Sequence, residues 1–155
     1  MNRMMLILVA VVAGLYLKQR SDAESHRIRS EYQRAKASVA DNCSGKASCV
    51  VIYVTPWCPS CKQLKPLLLQ ALERSKTVLD TGLKLIVGQG KTPAANEEEA
   101  MSFGAGAVTD NDGAFHKALA VESYPSFFVL DQKQNITLRG QEAANQFSRT
   151  FLGPR

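Results

Sequence analysis

"TPWCPSCKQLKP", residues Thr55–Pro66, places two cysteines three positions apart, behind a tryptophan and ahead of helix-forming residues. Such a pair is a redox couple, half of a metal site or a structural staple, and its flanks decide among the three. Upstream, "CVVIYVT" (Cys49–Thr55) is a continuous apolar, β-branched run, the pattern of a strand buried on both faces. Downstream, a helix is predicted from Pro59 or Ser60 to about Lys76. Its apolar face is read as Leu64, Leu67, Leu68, Ala71 and Leu72, and Pro66 is expected to kink it. Pro59 suits a first helical position, where its missing N–H would have no partner anyway. Cys58 therefore stands where a buried strand turns into a helix, against the first helical amides and the positive end of the dipole. That setting makes Cys58 the expected attacking sulfur, accessible where Cys61 is shielded. Cys61, one turn later, is placed to attack the mixed disulfide and release the substrate.

The other two cysteines, Cys43 and Cys49, read as a structural disulfide closing a small loop, against a second relay pair or two free thiols. A zinc site shared by all four is disfavoured, because the gaps on either side of Cys49 lack the tight paired spacing of zinc knuckles. No metal and no cofactor is called for. Two close cysteine pairs suit a non-cytosolic, oxidising compartment, or a redox enzyme in any compartment.

A chain of 155 residues is long enough for one domain plus extensions, and it buries a core without metals or staples. Its 45% hydrophobic and 21% charged residues make it globular, not disordered. The net charge of +5 does not indicate nucleic acid, since the Lys and Arg residues are scattered and no aromatics interleave with them for base stacking. A solvated surface accounts for the charge.

"MMLILVAVVAGLYL" (Met4–Leu17) carries no charge and is bracketed by Arg3 and by Lys18 and Arg20. As a helix it spans roughly 21 Å, short of the ~30 Å hydrocarbon core, a gap that snorkelling side chains or local thinning make up. We read it as an uncleaved membrane anchor. A cleaved signal peptide ending at Ala23 is the alternative, opposed by Lys18 and Arg20 in what is usually an uncharged region. Counted literally, Lys18, Arg20, Arg27 and Arg29 would keep the domain in the cytoplasm, whereas the signal-like length favours export. The expected location is the inner membrane, single-pass, with the redox domain in the periplasm, or the periplasm itself if the segment is cleaved.

Beyond the anchor, Ile28, Tyr32, Ala35 and Val39 form one stripe of a linker helix, and "CSGKAS" is a turn-rich link. The chain divides into 1–20 (anchor or signal), 21–48 (helical linker and cysteine-containing turn) and 49–155 (the folded domain). Within the last, "LKLIVG" is a second strand, parallel to the first because a helix joins them. "QGKTPAANEEEAMSFGAGA" is a loop and short helix, "TDNDG" a turn, and "AFHKALAVES" a helix of one to two turns. "SFFVLD" and "NITLRG" form an antiparallel hairpin, and "QEAANQFSRTFLG" is a closing helix. The order β-α-β, α, β-β-α gives an α/β fold with a mixed central sheet flanked by helices.

With these elements placed, the chain resembles the thioredoxin superfamily over about Cys49–Leu152. "WCPSC" after a strand, "CKQLKP" and "VESYPSFFVLDQKQNITLRG" match its pattern in order. The stretch "VTDNDGAFHKALAVESYPSFFVLD" is most similar to the membrane-anchored periplasmic (TlpA-like) thiol–disulfide oxidoreductases. The resemblance implies a thioredoxin-like fold in which Pro125 is a cis-proline facing the active site. That proline would expose the backbone of Tyr124 so that a substrate strand pairs beside Cys58. It also implies Trp57 as a substrate guide or active-site cover, and Pro59 and Ser60 as the active-site loop.

Two departures bear on mechanism. Members usually carry a buried Asp six residues before the first cysteine, as proton acceptor for the second; here that position is Ile52, and Glu122 is the substitute candidate. Pro59-Ser60 replaces the Gly-Pro of thioredoxin itself, which leaves the direction of electron flow open. His26 and His116 show no partner pattern and read as ordinary surface residues. The expected function is a thiol–disulfide oxidoreductase acting on extracytoplasmic protein substrates, more a reductase or isomerase, served by a membrane redox partner. The alternative is a redox-quiet thioredoxin-fold binding module in a membrane assembly, its CxxC locked as a staple.

Overall fold

The computed structural model describes residues 43–153, with residues 18 and 19. The anchor Met4–Leu17 and the linker stripe from Ile28 to Val39 lie outside the described residues. Among the described residues no helix is long and apolar enough to cross a membrane.

The sheet grows outward from β1 (Ser48–Val54), the expected buried strand. Its alternate residues serve two different cores. Val50, Ile52 and Val54 face one apolar cluster, while Cys49, Val51 and Tyr53 face the other. β2 (Thr81–Gly88) pairs with it in parallel, as the connecting helix requires. β4 (Ser126–Asp131) pairs antiparallel on its other side and continues as a hairpin into β5 (Ile136–Arg139). A further strand, β3 (Ala107–Asp110), adds in parallel to the outer edge of β2, and the five-stranded order is β3-β2-β1-β4-β5. Thr109 and Asp110 thus belong to a strand, and the predicted turn shrinks to the residues after them. Four residues between a glycine-rich 3-10 turn (Gly104–Gly106) and "NDG" are too few for an alternating pattern to show.

Helix α1 (Pro59–Ser75) starts as predicted and runs through Pro66 without a break. Its buried residues are Cys61, Leu68, Ala71 and Leu72, with Leu64 packed alongside. Leu67 is the exception to the predicted face: it is 42% exposed, because one residue before Leu68 is about 100° round the helix from the core-facing direction. Burying Leu68 completely is worth about 1.5–3 kcal/mol. At the far end, Arg74 Nη1 donates to the Phe151 and Gly153 carbonyls at 3.1 and 2.9 Å, tying α1 to the closing segment.

Helix α2 (Pro93–Met101) is capped by Thr92, whose hydroxyl accepts from Ala95 N–H. The short α3 (Ala114–Ala118) covers the sheet face opposite α1, where Phe115 joins the second cluster. Helix α4 (Gln141–Phe147) continues into a π turn at Ser148–Leu152, and Phe147 and Phe151 bury against the first cluster. The described residues therefore form a mixed sheet between helical layers, with the "WCPSC" segment at the C-terminal edge of β1.

Candidate active site

At the end of β1 the backbone turns through Thr55, Pro56 and Trp57, and Cys58 N–H donates to the Thr55 carbonyl at 3.4 Å. Cys58 is then the N-cap of α1, with extended backbone angles, and its sulfur accepts the Cys61 N–H at 3.2 Å. An unpaired helix-start donor is thereby aimed at the sulfur, as strand-then-helix geometry dictates. Cys58 and Cys61 are both free thiols. Exposure does not separate them, against the expectation of an accessible Cys58 and a shielded Cys61: they are 4% and 5% exposed. The helix-start N–H of Cys61 is bonded to the Cys58 sulfur. Burial pushes the Cys61 thiol up to about 12, and its bond with Cys58 acts in the same direction.

The Tyr124–Pro125 peptide bond is cis, and it brings the Tyr124 carbonyl 3.5 Å from Cys58 Sγ, which donates to it as a thiol. Trp57 is half exposed and stands edge-on to the Tyr124 ring, with centroids 5.4 Å apart. Its indole Nε1–H donates to the Gln89 carbonyl at 2.6 Å. That carbonyl is held in turn, since the next amide, Gly90 N–H, donates to the buried Asn96 side chain at 2.9 Å. Tyr124 thus borders the Cys58 sulfur through its carbonyl, with Pro125 next in the chain and Trp57 against the Tyr124 ring, while Pro59 and Ser60 form the exposed first turn of α1. Ile52, six residues before Cys58, is fully buried in the cluster that also holds both thiols. Glu122 is exposed, and among the described residues no carboxylate is hydrogen-bonded to Cys61.

The structure adds residues that sequence reasoning passed over. His116 is not an ordinary surface residue: its Nε2 lies 2.8 Å from the Tyr124 hydroxyl. Behind it, Asp110, 2% exposed, accepts from the Tyr53 hydroxyl at 2.7 Å and from the Phe115 and His116 backbone N–H groups at 3.0 and 2.9 Å. Burial first, then Asp110, pushes the Tyr53 phenol far up, so it stays protonated and donates. Tyr124 is raised as well, chiefly by burial and then by the nearby Asp110 charge. The one signal in the sequence for this group is Asp110 beside "NDG", which by itself reads as part of the turn.

Cys43 and Cys49 are joined in a disulfide with Cα atoms 5.6 Å apart. It lies at the opposite end of β1 from Cys58.

The fold and the dithiol define a class, and comparison with known proteins agrees with it. Residues 36–152 match the family model described as a thioredoxin-like domain, and the chain belongs to that family. Within that domain Cys58 and Cys61 stand as a pair of free thiols at the start of α1. Solved structures share the fold at low identity. The N-terminal domain of PilB from Neisseria gonorrhoeae aligns over 72% of this chain and 80% of its own, with 15% identity and a TM-score of 0.57. The pneumococcal exposed lipoprotein thioredoxin (Etrx1) from Streptococcus pneumoniae aligns over 70% and 86%, with 17% identity and a TM-score of 0.54. A thioredoxin-family thiol:disulfide interchange protein from Chlorobium tepidum aligns over 74% and 85%, with 17% identity and a TM-score of 0.51. No curated protein sequence is significantly similar to the chain.

Proposed function

We propose that Cys58 and Cys61 are the redox couple of an extracytoplasmic enzyme that reduces or isomerises protein disulfides. The observation that carries the reading is the Cys58 sulfur itself, capped by Cys61 N–H at 3.2 Å and set 3.5 Å from the Tyr124 carbonyl. A thiolate at that position has a helix-start donor for its charge and a neighbouring backbone on which an extended substrate pairs.

In the reductive direction Cys58 Sγ, as thiolate, attacks one sulfur of the substrate disulfide. A Cys58–substrate S–S bond forms, the substrate S–S bond breaks, and the leaving thiolate takes a proton. Cys61 then loses its proton and attacks Cys58 Sγ, which frees the second substrate thiol and leaves a Cys58–Cys61 disulfide. Two electrons and two protons have passed to the substrate. A membrane dithiol partner restores the pair by the same exchange in reverse. Because Cys61 is held protonated, its deprotonation belongs to the second step, when Cys58 no longer carries charge.

Placement outside the cytoplasm is supported by the Cys43–Cys49 disulfide, which persists in oxidising compartments, and by Met4–Leu17 as a membrane tether. The division into anchor, linker and redox domain is part of the same proposal. The test is insulin reduction by the full chain with a small-thiol donor, followed by redox titration of Cys58–Cys61. Turnover with a potential near the thioredoxin value of about −270 mV is the expected result. A potential near −120 mV would make the protein an oxidase, and no turnover at all would leave a redox-quiet binding module.

A further inference from the structure

Tyr124 is held from two sides. On one side its carbonyl meets Cys58 Sγ at 3.5 Å and its ring supports the edge of Trp57. On the other, its hydroxyl meets His116 Nε2 at 2.8 Å. Nothing in the exchange chemistry needs that second contact, yet a buried carboxylate stands behind it. His116 opens onto Tyr124 from α3, and its own backbone N–H is bonded to Asp110 at 2.9 Å. Asp110 in turn is fixed by the Tyr53 hydroxyl of β1, the central strand, and by Phe115 N–H. The Tyr53 ring packs edge-on to His116, with centroids 5.8 Å apart, and lies 6.0 Å from the Tyr124 ring. A half-buried tyrosine on a loop otherwise has several rotamers open to it, and each would carry the Trp57 contact elsewhere.

We propose that His116 is a positioning residue for the dithiol. Through its Nε2 bond to the Tyr124 hydroxyl, it holds the Tyr124 ring and Trp57 in the arrangement that receives an extended substrate at Cys58. Asp110 and Tyr53 are the anchor that aims it. The chain of contact runs from the core of β1, through a buried carboxylate to the His116 backbone, and from the His116 ring to the residue whose backbone borders the attacking sulfur. Since Trp57 and Tyr124 flank Cys58 and do not react, loosening them weakens substrate capture more than the chemical step. This inference rests on the proposed redox reading of the same site.

The test uses the full chain and the variants His116→Phe, Tyr124→Phe, the two together, and His116→Gln, whose amide can still bond the hydroxyl. Trp57 is the single tryptophan, so acrylamide quenching of its fluorescence in the dithiol form reports the site without any turnover. His116→Phe and Tyr124→Phe should each raise KM for insulin by about 2–10-fold, the range one hydrogen bond supports, with kcat changed by less than about 2-fold. Trp57 should become more quenchable in both. The double variant should be no worse than either single one, and His116→Gln should recover most of the loss. Unchanged KM and quenching in His116→Phe would overturn the proposal, as would additive effects in the double variant or a fall in Tm with no change at Trp57. If the wild type reduces no insulin, the redox reading fails separately, and the quenching cycle alone decides whether His116 holds Trp57 through Tyr124.

Discussion

At the scale of single residues, the two sulfurs differ by what surrounds them, not by what solvent reaches them. Cys58 takes the helix-start N–H, and burial raises the Cys61 thiol to about 12. A thiol raised above its unfolded value of 9.0 contributes stability that is fully present below about pH 9 and is lost as pH rises toward 12. The reduced protein should therefore lose melting temperature across that window faster than the disulfide form, in which Cys61 does not titrate. Tyr53 titrates in both forms, so the difference between the two curves isolates the pair. Parallel curves measured by calorimetry would contradict the assignment of Cys61 as a buried thiol. The sequence made the pair legible because strand, cysteine and helix occur in a fixed order. It did not reveal the partners of His116, since a bond between residues eight apart on a helix and a loop leaves no periodic trace.

At the scale of elements, β1 and α1 were legible because each carries a long uninterrupted signal: a β-branched run in one, and Leu68, Ala71 and Leu72 at helical spacing in the other. β3 was not, because its four residues are recognised only by the strand they pair with. That edge is nonetheless closely fitted. Gly88 closes β2 opposite Asp110, and a Cβ there would meet the Tyr53 hydroxyl and come within 3.0 Å of Asp110 Cβ. Gly88→Ala should destabilise the fold by about 1–3 kcal/mol, by overpacking and by displacing Tyr53 from the carboxylate it serves. Denaturant unfolding measures this, and a midpoint equal to wild type would mean that the β2–β3 edge yields freely.

At the scale of the whole molecule, the two cysteine pairs occupy opposite ends of one strand. Cys49 is the second residue of β1, and Cys58 follows the strand's last residue, Val54, at its other end. Five strand steps alone are about 17 Å, beyond the reach of direct sulfur exchange. We therefore propose that the Cys43–Cys49 disulfide acts on stability and not as a relay. Closing so short a loop is worth about 2 kcal/mol in the chain-entropy account. Replacing both residues by Ser should lower the unfolding free energy by about that much while insulin turnover stays at the wild-type rate. A loss of turnover in the folded variant would restore the relay reading. Cysteine spacing alone left this open, because it carries no information on which end of the sheet each pair occupies.

The central claim, that Cys58 attacks and Cys61 resolves, is tested most directly by trapping. Cys61→Ser removes the resolving sulfur, so a protein disulfide attacked by Cys58 has no exit. With a disulfide-bonded substrate under non-reducing conditions, peptide mass spectrometry should find the substrate cysteine joined to Cys58. No adduct, or an adduct that survives in the Cys58→Ser/Cys61→Ser variant, would contradict the account.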